Sequence, residues 1–154
     1  MADSFGLKIG LEGEKEFKKA LADINQSFKV LGSEMKLVSS QFDKNDKSVQ
    51  ALSARNTVLN KEIEAQKNKV ETLRAALRNA ADSFGENDRR TQNWQIQLNN
   101  AQTALNSMER ELSANERAIE ALSQEETDAA DATERLSQEI ARQEDALAGM
   151  KRAY

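Results

Sequence analysis

From Val49 to Phe84 apolar residues recur at alternating intervals of three and four, with charged residues between them. Numbered as heptads, the a positions are Val49, Asn56, Ile63, Val70, Leu77 and Phe84, and the d positions are Leu52, Leu59, Gln66, Leu73 and Ala80. A seam of this period, sustained over five heptads, is the pattern of long helices supercoiling on a partner. The same phase runs back through Phe42, Val38, Met35, Leu31, Phe28, Ile24, Leu21 and Phe17, with Asn45 as the polar interruption. It runs forward through Trp94, Leu98, Ala101, Leu105, Met108, Leu112, Ile119 and Leu122. In the acid- and alanine-rich stretch QEETDAADAT it weakens at Glu126, Ala129 and Thr133, where a thinner or bent seam is expected. It resumes at Leu136, Ile140, Leu147, Met150 and Tyr154, and the chain stops in mid-pattern, as a fragment of something longer would. A strict seven-residue period over that span implies left-handed supercoiling, because an ideal straight helix would drift about 20° per heptad.

Two segments depart from this pattern. Phe5, Leu7, Ile9 and Leu11 alternate with Gly6, Lys8 and Gly10, a period of two that predicts an extended or strand-like arm over residues 1–13. Helices are then expected over about 14–42, 47–84 and 88–152. Between the first two, DKNDKS supplies turn residues, with Asn45 or Asp46 able to cap the next helix. After Phe84, Gly85 suits the left-handed residue just past a helix end, and Asn87 or Asp88 suits the following N-cap. The two breaks resemble each other. Phe42-Asp-Lys-Asn-Asp-Lys-Ser-Val-Gln-Ala-Leu52 aligns with Phe84-Gly-Glu-Asn-Asp-Arg-Arg-Thr-Gln-Asn-Trp94 at an offset of 42, six whole heptads, so the phase survives both. Two copies suggest an internal repeat.

The predicted fold is all-α, with the heptad-bearing helices folded into hairpins at residues 43–47 and 85–88. The alternative is one continuous parallel rod about 200 Å long. A fold-back centred on Gly85 and Glu86 sets Leu77 opposite Trp94, Val70 opposite Ala101, Ile63 opposite Met108 and Val49 opposite Leu122. It also sets Asn56 opposite Asn115, where two amides could satisfy one another and pin the register. Of the flanking pairs, Lys67 faces Glu109 favourably and Glu62 faces Glu111 unfavourably. In the parallel rod Glu62 meets Lys67 well, but Lys69–Arg74, Glu111–Glu116 and Glu139–Glu144 are like-charged. Such exposed pairs cost only tenths of a kcal/mol, and the balance favours hairpins.

Composition supports long helices and removes much chemistry. The chain of 154 residues is 31% charged and 5% aromatic, a balance that without periodicity would suggest disorder. Proline is absent, so nothing interrupts a helix by removing a donor. Cysteine and histidine are absent too, which excludes disulfides, thiolate chemistry and imidazole as base or ligand. The missing cysteines fit a reducing compartment. A net charge of −4 gives no footprint for nucleic acid. No apolar run approaches the ~18 residues that span a bilayer, and the N-terminus lacks the basic start and apolar block of a signal peptide. Glu109, Glu111, Glu116, Glu125 and Glu126 could hint at a carboxylate metal site, but Glu-x-x-His pairs cannot be completed, so a solvated face is expected. Gly6, Gly10 and Gly13 lack phosphate-loop spacing. Trp94 is expected to pack in the core, and Asn56, Gln66 and Asn115 to specify register. No catalytic, cofactor or metal residue is expected.

The start FGLKIGLEGEKEFKKALADINQSFKVLGSEMKLV, with DKNDKSVQAL and FGENDRRTQNWQIQLNNAQTAL after it, resembles the N-terminal region of tail tape measure proteins of long-tailed bacteriophages and prophages of Gram-positive bacteria. The resemblance covers roughly residues 5 to 122. It implies a non-enzymatic scaffold: long, helical and multimeric, lying in the tail tube, setting its length, and leaving when DNA is ejected. It also implies self-association, tail-tube and tail-tip proteins and tail assembly chaperones as partners, and a place in the virion tail after assembly in the host cytoplasm. The membrane-active and peptidoglycan-cleaving parts of longer members have no counterpart in these residues. The rival expectation is a cellular coiled-coil adaptor or a chaperone-like docking module. Its residues of interest are the same seam (Val49, Leu52, Asn56, Leu59, Ile63, Val70, Leu73, Leu77, Trp94, Leu98, Leu105, Leu112, Ile119, Leu122) and hinges (Asn45, Asp46, Gly85, Asn87, Asp88).

Overall fold

With no proline to stop them and few glycines to weaken them, the heptad segments form long helices. The computed structural model describes the backbone of residues 2–153 and the side chains of residues 13–152. Three α-helices account for it: α1 (Ala2–Ser40), α2 (Val49–Phe84) and α3 (Arg89–Ala153). Among the described residues there is no strand. Met1 and Tyr154, the last residue of the expected seam, lie outside them.

The extended arm expected over residues 1–13 is not found; α1 is helical from Ala2. A lone strand would leave its backbone donors and acceptors unpaired, whereas a helix pairs them within the segment. Gly6, Gly10 and Gly13 each weaken the helix by about 1 kcal/mol relative to alanine, a smaller penalty than stranded backbone groups. At its other end α1 stops at Ser40, two residues early. There the turn tightens, Gln41 N–H reaching Val38 O at 3.1 Å and Phe42 N–H reaching Ser39 O at 3.4 Å.

The chain reverses at both connections. Asn56 meets Asn115 and Gln66 meets Ala101, so α3 runs antiparallel to α2. Glu34 meets Lys61 and Asn25 meets Lys69, so α1 does the same on another side. Among the described residues α1 and α3 each pack on α2 and not on one another. The central helix therefore carries most of the core. Leu59, Ile63, Val70, Leu73, Ala76 and Ala80 of α2 gather with Leu21 of α1 and Trp94, Ala101 and Leu105 of α3. Each large aliphatic side chain buried there contributes about 1.5–3 kcal/mol.

Helix α3 is 65 residues long and α2 is 36. Alongside α2, α3 alternates buried and exposed positions as far as Leu122; from Ser123 through Arg152 every residue is exposed. About 46 Å of helix thus extends beyond the three-helix body.

Candidate seam and hinges

At the first connection, Asp43 O accepts from Asp46 N–H at 2.9 Å, closing a turn. Asp46 Oδ1 then accepts from Ser48 N–H at 2.8 Å. Ser48, extended at φ −61°, ψ 161°, is the N-cap of α2, and its hydroxyl accepts from Ala51 N–H at 3.2 Å. The cap was expected at Asn45 or Asp46; it falls on Ser48 because Asp46 is spent on the turn and α2 begins only at Val49. Arg55 reaches back, donating to Asp46 O at 2.7 Å and Asp43 O at 3.4 Å, so two loop carbonyls are tied to α2. Asn45 is exposed.

The second connection repeats this scheme at the 42-residue offset. Gly85 O accepts from Asp88 N–H at 3.3 Å, and Asp88 Oδ1 accepts from Arg90 N–H at 2.8 Å. Asp43, Asp46 and Ser48 thus correspond to Gly85, Asp88 and Arg90 in bond as well as in sequence. Here Asp88 sits directly before α3, with its own carbonyl accepting from Gln92 N–H at 3.0 Å, as an N-cap does. Asn87 is exposed. Gly85 N–H closes α2 on Ala81 O at 2.9 Å, and φ +89°, ψ 157° puts Gly85 in a region open only to glycine rather than in the left-handed helical one. Thr91, buried, donates its hydroxyl to Gly85 O at 2.8 Å.

This second hinge is the more tightly braced. Arg90 grips Asp88 through two contacts, Nε to Oδ1 at 3.0 Å and Nη2 to Oδ2 at 3.1 Å, while its guanidinium lies 3.5 Å from the centre of the Phe84 ring. The side-chain and backbone bonds from Arg90 hold the Asp88 carboxyl below its usual range, and the same bond raises Arg90. The backbone and hydroxyl of Ser48 lower Asp46 likewise.

Along the seam, Leu52, Asn56, Leu59, Ile63, Val70, Leu73, Trp94 and Leu105 are buried, and Val49, Leu77, Leu98, Leu112, Ile119 and Leu122 are half-buried. The two polar positions are satisfied across the α2–α3 contact. Asn115 Nδ2 donates to Asn56 Oδ1 at 2.8 Å, and Gln66 Nε2 donates to Ala101 O at 2.8 Å. Among the described residues no buried side-chain polar atom lacks a partner. Loss of hydration raises the Glu62 carboxyl, and the facing Glu111 adds to the effect. Lys67 and Glu109 stay exposed and make no ion pair with each other.

A second buried stripe escapes the two-partner seam. Ala51 and Val58 lie at c positions and Ala76 at a g position, on the flank of α2 beside the seam. The signal was present, because Ala51, Val58, Ala65, Thr72 and Asn79 leave the c position uncharged through five consecutive heptads. A helix facing one partner would place charges there. Between α1 and α3 an open groove exposes Phe28, Asn25, Lys69 and Met108, with Lys69 Nζ on Asn25 Oδ1 at 3.2 Å.

Among the described residues, no three His, Cys, Asp or Glu converge as a metal site, and no helix is long and apolar enough to cross a membrane. The chain matches no protein-family model, no curated protein and no solved structure.

Proposed function

We propose that this chain is a non-enzymatic structural segment, the N-terminal part of a phage tail tape measure protein, acting inside the tail tube to set its length. The observation that carries the reading is the heptad phase kept through both connections. In a permanent hairpin the number of residues in a connection is free, since the seam on one side need not continue that on the other. In helices joined end to end it must continue. Phase kept across breaks six heptads apart therefore supports a second, straightened state, in which a helix converts residue number into length at about 1.5 Å per residue. The resemblance to tape measure N-termini supplies the tube as its setting, with tube, tip and assembly-chaperone proteins as partners.

The test is an in-frame deletion of residues 43–84 in the phage or prophage that encodes the chain. Phe42 then joins Gly85 without loss of phase, and tails should shorten by about 63 Å. Tails of unchanged length would overturn the proposal. The exposed apolar residues late in α3 favour the second reading, a cellular adaptor or chaperone-like docking module; it predicts a gene neighbourhood without tail genes.

A further inference from the structure

The seam that α2 covers does not stop where α2 stops. Beyond Leu122 the same phase presents Leu136, Ile140, Leu147 and Met150, which are 62%, 48%, 54% and 62% exposed. Apolar side chains repeated in heptad register along a bare helix form an unfilled half of an interface. The surface continues directly from one that is already filled, since Trp94, Leu98, Leu105 and Leu112 on the same face pack against α2.

We propose that residues 129–153 of α3 bind the same residues of a second copy of this chain, antiparallel, with Leu136 of each copy opposite Leu147 of the other. Charge decides the partner and its direction. Residues 123–134 carry Glu125, Glu126, Asp128, Asp131 and Glu134 and no basic residue, whereas Lys151 and Arg152 close the helix. Side by side in parallel, two copies would align acidic run with acidic run and bring Glu139 against Glu144 of the other copy. Antiparallel, Asp131 of each copy comes level with Arg152 of the other and Glu134 lies within two residues of Lys151. In the Leu136–Leu147 register Ile140 lies over Gln143 and Thr133 over Met150. The flanking g positions then pair Glu139 with Ala146, and the e positions, matched as Arg74 is with Gln102 in the body, set Ser137 beside Lys151. Glu144 meets Glu144 of the other copy at the two-fold axis, one like-charged pair against the two Glu139–Glu144 pairs of the parallel arrangement.

Space agrees. Residue 153 of the second copy comes level with Ala130, about 12 Å from Leu122, which lies beside the first turn of α2, so the paired segments overlap clear of the three-helix body. The inference rests on the exposed face and its charges and stands apart from the tape measure reading.

The absence of cysteine makes the test clean. Size-exclusion chromatography with in-line light scattering should give twice the 17.2 kDa chain mass. Leu136→Cys and Leu147→Cys should each stay uncrosslinked alone under mild oxidation and crosslink when mixed. Leu136→Glu with Leu147→Glu should halve the mass while leaving the Trp94 fluorescence of the body unchanged. A monomeric parent, crosslinking of either cysteine variant alone, or a dimer that survives the double glutamate variant would each overturn the proposal.

Discussion

Helix α3 carries one heptad phase over its whole length but lives in two environments. Over residues 89–122 its a and d side chains face α2: Trp94, Ala101 and Leu105 are buried, and Asn115 finds an amide partner at 2.8 Å. Over residues 123–153 the same positions hold Leu136, Ile140, Gln143, Leu147 and Met150, and the described side chains are exposed. Sequence period is the same in both halves, so period alone does not bury a residue. What differs is whether a second apolar stripe lies within reach, and only the first half has α2 beside it.

The comparison can be broken most sharply with a charge placed at equivalent positions. Val70 and Ile140 are both a residues, but one is 3% and the other 48% exposed. Val70→Asp buries a carboxylate without a partner and should remove several kcal/mol, abolishing the cooperative unfolding reported by Trp94 fluorescence. Ile140→Asp should leave that transition within about 0.5 kcal/mol of the parent. An unchanged melt for Val70→Asp would remove the seam assignment.

A smaller contrast lies in the polar layers. Asn56→Ala removes the acceptor of the half-buried Asn115 amide, a loss of about 0.5–1.5 kcal/mol, while Gln143→Ala has no intrachain partner to lose. Urea melts followed through Trp94 should show the first and not the second. Replacing both Asn56 and Asn115 by alanine should recover part of the cost, since neither amide is then left alone.

The smallest effect is electrostatic and sits in the covered half. Glu62 has its folded pKa raised from an ordinary 4.5, mainly by lost hydration and then by Glu111. The protonated form is therefore favoured on folding, and the stabilisation is present below the unfolded pKa and lost as pH rises through the folded one. Glu62→Gln should accordingly stabilise at pH 7 by roughly 0.2–0.5 kcal/mol, with no gain once the pH falls well below 4.5. The hinge carboxylates have the opposite sign. Asp46 and Asp88 are lowered on folding, so their contribution is present above the unfolded value and lost as pH falls through the folded one. Asp88→Asn should therefore lower the melting temperature at pH 7 and make no difference once Asp88 itself is protonated. Melting curves across pH that moved both variants in one direction would contradict these assignments.

Much of this was legible from residue order. The second connection followed from Gly85 and Asp88, whose turn and capping chemistry is local, and the correspondence of the two hinges followed from an offset of 42 residues. The N-terminal segment is helical although Phe5, Leu7, Ile9 and Leu11 alternate as a strand does, because a period of two means little without a neighbouring strand to pair with. The cap of α2 falls on Ser48 rather than on the expected Asn45 or Asp46, since all three are competent acceptors and the turn closed by Asp43 O selects among them. The second stripe at Ala51, Val58 and Ala76 lies outside a seam of a and d positions because such a seam accounts for one partner, and α2 has two.

By itself, the sequence determined that the chain is helical, roughly where its two connections fall, and which face of each helix is apolar. Those are consequences of hydrogen bonding within a few residues and of a period that matches the helix. Tertiary structure decided which helix answers which: that α2 lies between α1 and α3, and that residues 123–152 meet nothing within the chain. An apolar stripe is satisfied by any other stripe of the same period, so the choice of partner depends on connection length, helix length and the few polar groups that must find one another across the contact.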